Sequence, residues 1–212
     1  MADQNIFSKQ AKENDNGQTA ARTVAAKAAD GRTASDRRIK FMVTAAIMTA
    51  VLCVLGPLSL PIGPVPISLT NLVIYLMLYI LDWKRGTAAY LLYLLIGLVG
   101  LPVFSGFTGG AAKLVGPTGG YLIGFIPMTI LIGLFVDRYA QKRILCIIVM
   151  EAATWIAYLL GTAWLAVSAY MTFTAALAAG VIPFIAEDLA KMILAALLGP
   201  VLRKRLERFR HI

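Results

Sequence analysis

Residues 100–121 read GLPVFSGFTGGAAKLVGPTGGY, and the kind of chain that can hold such a stretch decides the fold. Seven glycines fall within residues 100–120, and Lys113 is the one charge in the stretch. A glycine-rich run beside a lysine invites comparison with a phosphate-binding loop. That loop requires G-x-x-x-x-G-K-[ST] between a strand and a helix, so that backbone amides surround the phosphates and the hydroxyl reaches magnesium. Here Ala112 precedes Lys113, Leu114 comes after it, and both flanking segments are long and apolar. The phosphate reading fails, and the flanks become the question.

Of the 212 residues, 59% are hydrophobic, and the mean hydropathy is +0.76. Soluble domains hold roughly half apolar residues. Apolar segments near 20 residues recur along this chain, the length that crosses a hydrocarbon core of about 30 Å. The expected fold is an all-α integral membrane protein, a compact bundle of six transmembrane helices over approximately 39–58, 67–82, 87–104, 118–136, 144–165 and 180–202. The second span is short and comes after LPIGPVPIS, whose prolines favour extended chain. Residues 166–179, VSAYMTFTAALAAG, are too short and too rich in small residues to span, and read as an interfacial helix or loop. Residues 1–36 are polar, lack a sustained apolar face and are expected to form a disordered cytoplasmic tail. A polar run of this length argues against a cleaved signal peptide. The expected organisation is a tail over 1–36, a membrane domain over 37–205 and a basic cytoplasmic end over 206–212.

Charge orients the spans. Of the 20 Lys and Arg, eight lie at or before Lys40, two are Lys84 and Arg85, three are Arg138, Lys142 and Arg143, and five fall in RKRLERFR. The positive-inside rule then places both termini in the cytoplasm and the 100–121 loop outside. The exceptions are Lys113 in that loop and Lys191 within the last span. The net charge of +9 thus reflects topology and anionic lipid, with no nucleic-acid partner expected.

The chemistry available is restricted. Cys53 and Cys146 lie in separate apolar segments, and the one histidine is His211, so neither a metal site nor a cofactor is expected. An intramembrane enzyme would need Glu151 and Asp188 as a catalytic pair, without an activated nucleophile beside them. Four charged residues fall inside spans: Glu151, Glu187, Asp188 and Lys191. Each costs roughly 2.5–3.5 kcal/mol at mid-helix and needs a reason to be there. Asp188 and Glu187 stand three and four residues before Lys191, close enough to meet it on one helical face. Both a self-satisfied ion pair and a ligand site are open. Glu151, Trp155, Tyr158 and Thr162 fall at i, i+4, i+7 and i+11, a stripe suited to lining a cavity for a flat, partly polar ligand or to ordinary packing near the interface. Ala46 and Ala50 would let another helix approach closely. In the glycine loop, irregular backbone is tolerated where it is buried or lines an aqueous cavity. Lys113 is suited to guiding an anionic solute.

GLPVFSGFTGGAAKLVGPTGGYLIGF and GVIPFIAEDLAKMILAAL resemble the two signature regions of the BioY family, the biotin-specific S components of energy-coupling factor (ECF) transporters. The resemblance runs from about residue 38 to residue 202. Its loop pattern is matched at Gly109, Gly110, Leu114, Gly116, Pro117, Thr118, Gly119, Gly120 and Tyr121. It implies biotin as substrate, in a pocket near the outer side. The residues expected at the site are Asp188, Lys191, Gly110, Lys113, Gly116, Gly120, Tyr121, Phe104, Asn71, Glu151, Trp155 and Tyr158. It also implies that Ala46 and Ala50 dock on a transmembrane coupling subunit (the T component), with two ABC-type ATPase subunits supplying energy. The implied location is the cytoplasmic membrane, with the lipid bilayer as surroundings. An S component for another vitamin or a biotin precursor is the alternative. Because the tail lacks an apolar face and lies opposite the implied pocket, a chain beginning at Arg37 should bind biotin as tightly as the full chain. A truncated protein that inserts but loses affinity in a biotin titration would assign the tail a role in the site.

Overall fold

The computed structural model describes residues 38–61 and 65–210; the expected tail over 1–36 and His211 lie outside them. The order is α1 (Arg38–Leu55), β1 (Ser59–Leu60), β2 (Ile67–Ser68), α2 (Thr70–Ile80), α3 (Trp83–Leu98), α4 (Ala111–Val115), α5 (Gly119–Tyr139), α6 (Arg143–Ser168), α7 (Phe173–Gly180) and α8 (Ile182–Arg210). The helices α1, α5 and α6 are each long and apolar enough to cross a membrane. Contacts divide the chain into Met1–Thr44 and Ala45–Ile212. Of the first unit, the described part is the opening of α1, where the Thr44 hydroxyl donates to the Lys40 carbonyl at 2.8 Å.

Within the second unit α2 is the buried element. Eight of its 11 residues are buried, among them Asn71, Ile74, Tyr75, Met77, Leu78 and Tyr79. A helix apolar all round belongs in an interior. At about 1.5 Å per residue, its length covers only half of a hydrocarbon core. The span expected over 67–82 therefore begins as extended chain: β1 and β2 pair antiparallel, Ser59 opposite Ser68 and Leu60 opposite Ile67. Pro66 lacks an N–H to donate and biases its predecessor away from the helical region. The helix starts once the prolines have passed.

Other boundaries move for local reasons. Helix α3 begins at Trp83, earlier than the expected 87, because the Asp82 side chain accepts the Arg85 N–H at 2.9 Å and caps the first turn. It ends before Gly100, whose φ of +110° no side-chain-bearing residue adopts cheaply. The stretch 166–179 holds the end of α6 and the eight-residue α7, which Thr172 caps by accepting the Ala175 N–H.

Several buried hydroxyls in this interior are tied to the backbone or to each other, the Tyr79 hydroxyl being an exception among the described residues. The Tyr75 and Thr154 hydroxyls are 2.8 Å apart, and Thr154 also donates to the Met150 carbonyl. Tyr90 donates to the Leu122 carbonyl and Tyr93 to that of Val103. In a medium without water each lost bond would cost its full desolvation penalty. Helices α5 and α6 pack backbone to backbone: a Cβ on Gly124 would lie 2.9 Å from Ala157 Cα. Gly124→Ala should thus push the two helices apart at a cost of about 1–3 kcal/mol. The expected readout is a lower thermal midpoint in detergent; an unchanged midpoint would show that the contact has room to relax.

Candidate ligand-binding site

A cavity of about 70 Å³ lies where β2, the start of α2, the head of α5, the middle of α6 and the first half of α8 converge. Its polar side is built from Asn71, Tyr158, Asp188 and Lys191, all more than nine-tenths buried. Asn71 donates its amide to Asp188 Oδ1, and Tyr158 donates its hydroxyl to Asp188 Oδ2. Lys191 Nζ donates to the Ser68 carbonyl at 2.6 Å and to Asn71 Oδ1 at 2.8 Å. It also forms ion pairs with Glu187 and, at 3.4 Å, with Asp188. An ammonium has three protons to give, so these four acceptors saturate it. Two carboxylates thus flank one cation, and Glu187 Oε2 is buried without a hydrogen-bond partner among the described residues.

The opposite side of the cavity is apolar and aromatic, formed by Val65, Tyr121, Leu122, Phe125 and Phe184. The Tyr121 hydroxyl meets that of Thr162 at 3.3 Å, and Tyr121 lines the cavity. Such a site offers a buried acceptor pair, a saturated cation and flat apolar walls. That is the composition of a pocket for a small ligand with polar edges.

The sequence candidates divide. Asp188, Lys191, Asn71, Tyr121 and Tyr158 come together in this cavity. Gly110, Lys113, Gly116, Gly120, Phe104, Glu151 and Trp155 lie outside its lining. Gly110 takes φ +86° and donates its N–H to the Gly97 carbonyl at 2.7 Å, anchoring the loop on α3. Gly116 accepts the Trp164 indole N–H at 2.9 Å, and a Cβ on Gly120 would strike Trp164 Cβ. Lys113 is half-buried on α4, and burial pushes its ammonium below the usual lysine range. Phe104 is fully buried edge-on against Tyr93, with centroids 5.5 Å apart. The α6 stripe splits: Tyr158 and Thr162 turn inward, while Trp155 is 40% exposed and donates to Glu151 at 3.0 Å. Ala46 and Ala50 are exposed on α1.

Some lining residues carried a sequence signal and some did not. Phe184, Asp188 and Lys191 fall at i, i+4 and i+7, so helical spacing from the acidic residue was a signal that could have pointed to Phe184, which the sequence candidates omit. The Ser68 carbonyl carried none, because a backbone acceptor has no side-chain signature.

The BioY family profile matches residues 24–208. The chain belongs to the BioY family. A biotin transporter BioY of Thermotoga maritima is 39% identical over 163 residues, spanning 77% of this chain and 95% of that protein. The biotin transporter BioY2 of Lactococcus lactis is 37% identical over 161 residues, spanning 76% and 88%. The crystal structure of an S-component for biotin from an ECF-type ABC transporter superposes with a TM-score of 0.74 at 33% identity, covering 80% of this chain and 93% of that one.

In this BioY member Asn71 bridges an acid and an ammonium that share no water-facing side. Asn71→Leu keeps the branched shape and removes both bonds, so it should cost about 1–3 kcal/mol as Asp188 and Lys191 each lose a partner. Trp155→Leu, at the exposed edge of α6, should leave the thermal midpoint nearly unchanged. Equal midpoints for both variants would show that the cluster relaxes without Asn71.

Proposed function

We propose that this chain captures biotin in the Asp188–Lys191 cavity and delivers it across the cytoplasmic membrane as the S component of an ECF-type ABC transporter. It is a transporter subunit, not an enzyme. The observation that carries the site is the buried cluster of Asp188, Lys191, Asn71 and Tyr158 facing an aromatic wall inside an apolar bundle. Biotin has two ureido N–H donors, a ureido carbonyl, an apolar thioether ring and a chain ending in a carboxylate. Asp188 accepts a ureido N–H, Asn71 and Tyr158 fix the acid's orientation, and Lys191 exchanges one of its four present acceptors for an anionic or carbonyl oxygen of the ligand. Tyr121, Phe125 and Phe184 cover the ring system. Lys113, outside the lining, draws the carboxylate toward the loop.

The charge distribution supports six spans with both termini cytoplasmic, the two short helices α4 and α7 lying at the membrane surface. Ala46 and Ala50, exposed beside Ile47 and Val54, are suited to close packing against a transmembrane coupling subunit. Without a nucleotide-binding motif in the sequence, ATP hydrolysis falls to two partner ATPases. Titration of biotin into the purified full chain in nanodiscs tests the reading: saturable binding is expected, and its absence overturns it.

One set of variants separates the roles of the pair. Lys191→Ala strands buried acid and should weaken biotin binding by more than tenfold, about 1.4 kcal/mol. Asp188→Asn keeps an acceptor and should lower affinity moderately. The double variant should be strongly non-additive if Asp188 acts by holding Lys191. Unchanged affinity in all three, each shown to be monodisperse, would leave the pair as a packing device.

A further inference from the structure

A second feature lies well away from this cavity, at the turn between α5 and α6. A groove of about 380 Å³ runs between the two helices, lined by Leu131, Leu134, Phe135, Ala152 and Ile156, with Tyr139 at its end. Tyr139 also lines a polar recess of about 300 Å³ formed with Asp137, Arg138, Lys142 and Arg203. The two spaces therefore meet at one ring. That ring is held in place: Phe135 stacks on it at 4.8 Å, and Arg138 and Lys142 lie 5.9 and 5.2 Å from its centre. Arg203 donates to the Val136 carbonyl at 3.3 Å, which fixes its head group at the same corner. The recess holds one carboxylate, Asp137, against three cations, and its Oδ2 is turned to the Trp83 N–H. Positive charge is in excess. Neither Arg138 nor Lys142 has a carboxylate partner within 4.0 Å among the described residues.

We propose that groove and recess together bind one anionic phospholipid, its phosphate against Arg138, Lys142 and Arg203 and an acyl chain along the groove between α5 and α6. Charge complementarity selects an anion, and the basic corner lies where a bilayer's phosphate layer would meet the end of a span. A free phosphate would use the recess and leave the apolar groove idle. A zwitterionic lipid would bring its own cation into a corner that already has an excess. The groove is apolar along its length, lined by Leu131 and Leu134 of α5 and by the small Ala152 and Ala153 of α6. The proposal rests on the chain lying in a membrane and is independent of the biotin reading.

The test uses the full chain in nanodiscs of mixed phosphatidylglycerol and phosphatidylcholine, released and weighed by native mass spectrometry. The expected result is one retained phosphatidylglycerol, preferred over phosphatidylcholine by roughly tenfold or more. The double variant Arg138→Gln/Lys142→Gln should abolish the preference, and Ala152→Trp, which fills the groove from an exposed position, should abolish retention. Thermal midpoints in detergent unchanged in both variants would show that they are folded. Retention lost in the charge variant but kept in Ala152→Trp means a surface headgroup contact and overturns the seated lipid. Displacement by inorganic phosphate at millimolar concentration assigns a phosphate site and overturns it as well. No lipid preference, with Ala152→Trp instead breaking association with a second copy or with a coupling subunit, gives the groove to a protein partner and equally overturns the proposal.

Discussion

An ammonium buried in an apolar bundle has to be satisfied, and in this protein the groups that satisfy Lys191 are supplied by a segment more than 100 residues away. Ser68 gives its carbonyl and Asn71 its side-chain oxygen, at 2.6 and 2.8 Å, while Glu187 and Asp188 add charge from the same helix. Isolated, the ion would cost several kcal/mol in this environment. The start of α2 is thereby tied to the middle of α8. A carbonyl serves this purpose most readily where it is not already committed to a helix. The extended chain before α2 meets that condition: Ser68 sits in β2, outside the helical ladder. The prolines that delay the start of α2 leave free the carbonyl that the site uses.

The glycine-rich loop depends on the same compactness. Its glycines lie outside the cavity lining. Gly110 allows a left-handed turn that hooks onto α3, and Gly119 and Gly120 let the head of α5 pass beneath the loop and against Trp164. The cavity gains its wall where the loop runs into α5, since Thr118, Tyr121, Leu122 and Phe125 line it there. The anchored loop thus positions the helix end whose Tyr121, Leu122 and Phe125 line the cavity with the charged cluster. Affinity for a small ligand benefits when such ordering is already complete before binding.

The rest of the surface divides by partner. The helix α1 presents Ala46, Ile47, Ala50 and Val54 outward, small and branched apolar groups suited to another helix. At the α5–α6 turn the surface is cationic and grooved, suited to lipid. On the readings proposed above, one of these faces meets the coupling subunit and the other meets the bilayer.

Composition and pattern alone determined the class of the protein. Apolar run length and the asymmetry of Lys and Arg impose a multi-span membrane chain, because hydrocarbon tolerates neither charge nor unpaired backbone. The two motifs bring in the family, and the spacing of Asp188 and Lys191 placed a charged pair on one face. Tertiary structure alone decided which candidates share a cavity. Tyr158 joins Asp188 while Trp155, on the same predicted stripe, turns to the rim with Glu151. Helical periodicity gives a direction around one axis and says nothing of where neighbouring axes lie, so a stripe can straddle an interface. The Ser68 carbonyl at Lys191 was beyond the sequence for a simpler reason: every residue has a carbonyl, and only the folded chain decides which one is left free.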